Sequence, residues 1–306
     1  WFAEYAQVIV KNFGDRVKHY ITINEPINAI HSSYYSGVFA PGMKLNDIQA
    51  LKCVHHMLLS HAKAATVISR NIPAAKIGIA MSTFEQYPFY KTEKGIKAAA
   101  KAFFEREIST ESVDTYLDPV YLGRYPSRFN EKHIDFMEYV KDEELRLIKD
   151  SCNIICYNNY SGWPLDEDGH EMKHKTGKNF TAMGAPVDPN AIYWNCKFLQ
   201  ERYKKPVYIT ENGVAYEDVL CLDGKVHDYN RIDYLQRHLQ AVEKLIEEKV
   251  DVRGYFVWSL MDNFEWLHGY TKRFGLIYVD FDTLERIPKD SYFWYKEYIS
   301  QKKKIT

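Results

Sequence analysis

The sequence has no glycine-rich phosphate cradle, no Gly-x-Ser-x-Gly elbow and no paired-cysteine metal spacing, so those three kinds of site lack their residues and no metal or cofactor is expected. It has no excess of either charge. Lys and Arg number 40 against 41 Asp and Glu, a formal charge of -1, which gives no net positive field for nucleic acid or an anionic membrane. No run approaches the ~18 apolar residues of a membrane span. Cysteine is scarce: Cys53, Cys152, Cys156, Cys196 and Cys221 are too few and too irregular for a disulfide scaffold, and their odd number favours a reducing, cytoplasmic setting. On one strand face Cys152 and Cys156 would lie ~13 Å apart, too far for a disulfide or a shared metal. Two sequons, Asn159-Tyr-Ser161 and Asn179-Phe-Thr181, keep a secretory route open. No signal peptide is present, and a start at Trp1 leaves room for a removed leader or a longer N-terminal part. The tail Lys302-Lys303-Lys304 reads as a frayed, soluble terminus.

With 306 residues, 46% of them hydrophobic and 15% aromatic, the chain can bury a large core in one large domain or two. Its organising stretch is Pro206-Val-Tyr-Ile-Thr-Glu-Asn-Gly213. Val207 to Thr210 are strong strand formers, and Glu211 follows them directly before the turn signal Asn212-Gly213. Tyr20-Ile-Thr-Ile-Asn-Glu-Pro26 repeats the design and ends in Glu25. An α/β protein places its chemistry at such carboxyl ends of strands.

Along the chain, helix 1–14 carries Phe2, Tyr5, Val8 or Ile9, and Phe13 at helical spacing, and leads into a strand over 17–24. The aromatic stretch 26–43 is expected to be a loop lining a site. Asn46 or Asp47 caps a helix to about Arg70 whose inward side is Leu51, Val54, Leu58, Ala62, Ala65 and Ile68. Its histidines, His55, His56 and His61, lack the spacing of a zinc helix and read as packed or capping residues. There follow a strand over 76–81, one helix over about 94–121, a short helix over 142–149 and a strand over 153–157. A surface loop over 161–187, a helix over 189–203, the strand over 207–210, a helix over 231–248, strands over 252–259 and 276–279 and a helix over about 289–298 complete the chain. The recurring unit is strand, loop, helix, with mostly parallel strands and no linker.

Strand ends thus offer Asn24 and Glu25, Asn158 and Tyr160, Glu211 and Asn212, and Trp258 before a loop holding Asp262, Asn263, Glu265, Trp266 and His268. A lone glutamate is most often a surface ion pair; one closing an otherwise apolar strand is not solvated helix surface. Paired carboxylates among amides and aromatic rings suit a polyhydroxylated neutral ligand, because amides and acids bind hydroxyls while rings cover a sugar face. Glycoside hydrolysis needs two carboxyls of this kind in different protonation states.

Four ordered motifs carry a resemblance: Thr22-Ile-Asn-Glu-Pro26, Tyr208-Ile-Thr-Glu-Asn-Gly213, Trp258-Ser-Leu-Met-Asp-Asn-Phe-Glu-Trp266 and Gly269-Tyr-Thr-Lys-Arg-Phe-Gly275. With them the chain resembles the family 1 glycoside hydrolases, the β-glucosidase family, from its first residues to about Tyr298. The resemblance implies an α/β fold, a (β/α)8 barrel that hydrolyses β-glycosides with retention. It implies Glu25 as acid/base, Glu211 as nucleophile and Asn24 as the holder of the sugar 2-hydroxyl. Asn158 and Tyr160 match the family's Asn-Tyr-Tyr triplet, whose last tyrosine bonds the nucleophile and should hold Glu211 ionised. Trp258 matches the platform under the sugar, Glu265 the residue on the 4- and 6-hydroxyls, Trp266 the 3-hydroxyl donor, and Phe274 a wall near the 6-position. Glu265 would repel a phosphate, which favours a non-phosphorylated sugar.

The chain departs from the family pattern at Asn159, Asn153 and Ala185, where the family has tyrosine, aspartate and tryptophan. Its first strand corresponds to the family's fourth. Residues 1–306 are therefore expected to form a single partial (β/α)8 catalytic domain, about strands 4 to 8, incomplete as a single chain. Its partners are expected to be a β-glucoside or related oligosaccharide, with no nucleic acid and no membrane, and a complementing chain or a copy of itself that supplies the other strands. The alternative function is a carbohydrate-binding or assembly fragment with little turnover.

Overall fold

Apolar strands each followed by an amphipathic helix can bury both sheet faces only by repeated crossover, and the chain folds that way. The computed structural model describes residues 1–173 and 179–302. Part of the loop expected over 161–187, and Lys303 and Lys304 of the tail, lie outside the described residues. Helix α1 (Phe2–Phe13) leads into strand β1 (His19–Asn24), a π-helix (Asn28–Tyr35), α2 (Asp47–Asn71), β2 (Lys76–Met81) and β3 (Gln86–Pro88). Next come α3 (Glu93–Phe104), a 3-10 turn (Ser109–Glu111), α4 (Val113–Leu122), α5 (Phe129–Lys132), α6 (Ile134–Tyr139), α7 (Asp142–Ile148), β4 (Ile155–Asn159) and β5 (Trp163–Leu165). Then follow α8 (Asn190–Tyr203), β6 (Val207–Asn212), α9 (Tyr229–Glu247), β7 (Val252–Val257), a 3-10 turn (Trp266–His268), β8 (Ile277–Val279), β9 (Arg286–Pro288) and α10 (Asp290–Lys302).

The main sheet is parallel in the order β1-β2-β4-β6-β7. Among the described residues β1 pairs in it with β2 alone and β7 with β6 alone. Ile21 and Phe256 on these outer strands are 46% and 55% exposed. The core lies between the sheet and α2, α3, α4 and α8, around Leu58, Phe103, Tyr116, Tyr157 and Leu199.

Helix α2 starts where expected. The Asn46 side chain accepts from the Gln49 amide at 3.0 Å and Gln49 accepts from Asn46 at 3.2 Å, a reciprocal cap that satisfies two free donors. Its six predicted inward residues are all buried. His55 and His61 are packed: His61 bridges Thr22 and Ser151 at 2.6 and 2.9 Å, and burial pushes it down to about 3.

Several expectations need correction. Of the α1 stripe, Tyr5, Val8 and Phe13 are exposed, while the alternative Ile9 packs with Val10 into the cluster of Ile68 and Ile72; the buried residues of α1 are Ala6 and Val10. The helix expected over 94–121 is two, α3 and α4, broken where the Ser112 hydroxyl caps the Arg106 amide at 2.8 Å. The stretch 26–43 contains the π-helix, and β5, inside the expected surface loop, pairs in parallel with β3. The strand at Ile277–Val279 pairs antiparallel with β9 outside the main sheet. Cys152 precedes β4 rather than sharing its face with Cys156, and all five cysteines are free.

Candidate active site

The parallel order places the carboxyl ends of β1, β2, β4 and β6 along one rim. Glu25, immediately after β1, has φ 48, a left-handed conformation that costs a non-glycine residue about 1 kcal/mol or more. Its amide donates to Ala80 O at 2.8 Å, which ties the bend to β2. Its carboxylate is held from two sides: Asn158 Nδ2 donates to Oε1 at 2.9 Å and Asn28 Nδ2 to Oε2 at 2.6 Å. Asn158 is fully buried, also donates to Asn24 Oδ1 at 3.1 Å, and accepts from the Thr210 hydroxyl at 2.6 Å. Each half of its amide is thereby used and its orientation is fixed.

Glu211 lies in register with Asn158 across β4 and β6. The Tyr160 hydroxyl donates to its Oε2. Burial pushes Glu211 up to about 7, against the hydrogen bond from Tyr160, and the charge of Glu25 pushes the same way; Asn24 and Asn158 act in the opposite direction. The hydrogen bond from Tyr160 favours the ionised carboxylate in the expected sense, and desolvation, the larger effect, opposes it. Tyr160 is itself fixed by the Tyr234 hydroxyl, which donates to its carbonyl at 2.8 Å, and by the edge of Phe274 at 5.9 Å.

The structure thus brings Asn24, Glu25, Asn158, Tyr160 and Glu211 into one bonded group. Trp258, half-buried just past β7, and Glu265, raised by its own burial and by the charge of Glu25, stand at the rim of this group. Trp266 is 71% exposed and stacks on Phe39, from the aromatic stretch after β1, at 5.8 Å. Phe274 is buried against Tyr160.

The loop bearing Glu265 and Trp266 rests on buried charges. Lys289, fully buried, donates to Asp218 at 2.5 Å and to Asp262 at 2.9 Å; Arg273 bonds Asp262 at 2.6 Å and Arg231 bonds Asp218 at 2.7 Å. Such a network tolerates no missing member, since each loss leaves a buried charge unpaired.

Of the three departures, Asn153 has a visible use: it accepts from the Ile77 amide and donates to Ala75 O, each at 2.8 Å, which joins β2 to the approach of β4. Asn159 is buried and donates to the Tyr157 hydroxyl at 3.3 Å. Asn28, Thr210, Glu85 and Lys289 escaped the sequence reading. The spacing of Asn28 three residues after Glu25 could have suggested it; nothing local marks the others. Among the described residues Cys221, Asp223 and His227 bring ligand atoms within 4.8 Å of one another, but both His227 nitrogens already face carboxylates, Asp290 at 2.6 Å and Asp223 at 3.1 Å. No helix among the described residues is long and apolar enough to cross a membrane.

A 1,4-beta-D-glucan glucohydrolase of Thermotoga neapolitana is 42% identical over 305 residues, 98% of this chain and 67% of that protein. Beta-glucosidase A of Thermotoga maritima is 41% identical over the same shares. The solved structure of a Thermotoga maritima beta-glucosidase in complex with azafagomine superposes with a TM-score of 0.85 at 38% identity, again over 98% of this chain and 67% of that one. The chain thus spans about two thirds of the length of these relatives, with an α/β fold that matches theirs. The model of glycosyl hydrolase family 1 matches residues 1–304, and the chain belongs to that family.

Proposed function

We propose that this chain hydrolyses terminal β-glycosidic bonds, chiefly β-glucosides of non-phosphorylated sugars, with retention. The observation that carries this reading is the bonded group in which one buried amide, Asn158, holds Glu25 while the phenol of Tyr160 holds Glu211. Glu211 attacks the anomeric carbon as Glu25 gives a proton to the leaving oxygen. Glu25 then takes a proton from water, which opens the glycosyl-enzyme and frees Glu211. Asn24 binds the hydroxyl beside the reacting carbon, Asn158 holds Asn24 and Glu25 in place for the sugar, Trp258 underlies the sugar, and Glu265 with Trp266 grips its far hydroxyls; Phe274 backs Tyr160. Attack needs an ionised Glu211. With its carboxyl pushed up to about 7, the attacking form is lost as pH falls through that value.

Among the described residues the main sheet is a row of five parallel strands with β1 and β7 as its two edges. This supports the further reading that the sheet is about strands 4 to 8 of a (β/α)8 barrel, in one partial domain, and that its turnover alone is well below that of a complete enzyme. The single-sided pairing of β1 and β7 also favours the second reading, a carbohydrate-binding or assembly fragment closed by strands from another chain or copy. Weighing the species in solution while assaying an aryl β-glucoside separates these. A kcat of roughly 1 to 1,000 per second from a monomer would overturn the weak-activity reading. For the roles themselves, Glu211→Gly should abolish hydrolysis and added azide should restore part of it; a folded variant without rescue would remove Glu211 as nucleophile.

A further inference from the structure

Glu85 lies in the turn between β2 and β3 and is buried, yet it carries no part of the chemistry above. All of its side-chain bonds converge on two consecutive residues. Oε1 accepts from the Tyr160 amide, while Oε2 accepts from the Ser161 amide at 2.8 Å and from the Ser161 hydroxyl. Its own carbonyl accepts from the Trp163 amide at 2.9 Å, where β5 joins β3. The carboxylate therefore clamps the bend between β4 and β5, the bend from which the Tyr160 ring reaches Glu211.

We infer that Glu85 is a positioning residue for Tyr160: by fixing the backbone at Tyr160 and Ser161 it holds the phenol on Glu211 and so favours the ionised form of the attacking carboxylate. This rests on the role proposed for Glu211. The acceptor geometry demands a carboxylate. Glutamine has the same volume, but one of the two backbone donors would face its NH2 group, and a buried donor without an acceptor is costly. The charged and titratable groups acting on or influenced by Glu85 are Glu25 beyond β1, Tyr157 on β4, Tyr160 beyond it and Tyr234 on α9; burial pushes Glu85 up to about 7.

The test is carbon-13 NMR titration of side-chain-labelled glutamates in the intact chain, with the Glu211 signal assigned by Glu211→Gln. In Glu85→Gln the loss of a nearby negative charge alone would move the Glu211 midpoint down. Release of the Tyr160 phenol would move it up, by about one pH unit for a single bond to a charged group. An upward shift is expected, and in the Tyr160→Phe background Glu85→Gln should give no upward shift, only the downward one of the lost charge, since the phenol contact is already gone. A downward or absent shift in Glu85→Gln alone, or full additivity, overturns the inference. If Glu85→Gln does not fold, Ser161→Ala decides: it keeps the charge and removes one anchor, and a smaller upward shift is expected where no shift would refute. The midpoint is read without turnover, so an inactive chain would count against the role of Glu211 and leave this test intact.

Discussion

Asn158→Asp changes one buried amide nitrogen to an oxygen and should convert the best-held point of the site into its weakest, in a pH-dependent way. The parent nitrogen donates to Glu25 at 2.9 Å and to Asn24 at 3.1 Å. A carboxylate in its place faces Glu25 at the same separation. Two charges about 3 Å apart at an effective dielectric constant near 20 repel by roughly 5 kcal/mol, or about 3 to 4 pH units of one group's proton affinity. The introduced carboxyl therefore has its folded-state pKa raised above its unfolded value of about 4. A raised acid favours the folded state while protonated, so the penalty is absent below about pH 4 and grows as pH rises toward the folded value. Urea unfolding should place Asn158→Asp within about 1 kcal/mol of the parent at pH 4 and at least about 3 kcal/mol below it at pH 8. An equal loss at both pH values would mean that lost hydrogen bonds, not charge, dominate. No loss at pH 8 would mean that Glu25 does not sit against this amide.

Three other outcomes follow from the same geometry. Gly213→Ala should destabilise the chain by about 3 kcal/mol or more in chemical unfolding, because an added Cβ would sit 1.7 Å from Trp258 O; a loss under about 1 kcal/mol would show that the two backbones separate easily. Trp266→Ala removes a ring that is mostly in solvent, so it should shift the unfolding midpoint little while weakening glucoside binding by roughly tenfold, read by calorimetric titration; unchanged affinity would take Trp266 out of the site. A 6-phosphoglucoside should be cleaved more slowly than its neutral counterpart, since Glu265 carries charge of the phosphate's sign; the reverse order would remove Glu265 from the sugar's far end.

Local patterns determined much of this protein. Asn46 with Gln49 determined where α2 begins, the apolar spacing from Leu51 to Ile68 determined its buried face, and the run Val207–Thr210 followed by an acid determined a strand with Glu211 at its end. These are short-range effects, decided by residues within a few positions of one another. Tertiary structure decided what no window of sequence contains. It turned Ala6 and Val10 of α1 inward instead of Tyr5 and Phe13, and buried Lys289 among carboxylates from separate segments. It also joined Asn158 to Glu25 across 133 residues and Tyr160 to Glu211 across 51. Most consequentially, it set the proton affinity of Glu211. The motif places an acid there, but whether that acid is ionised depends on how much water the folded chain removes from around it and which charges it brings near.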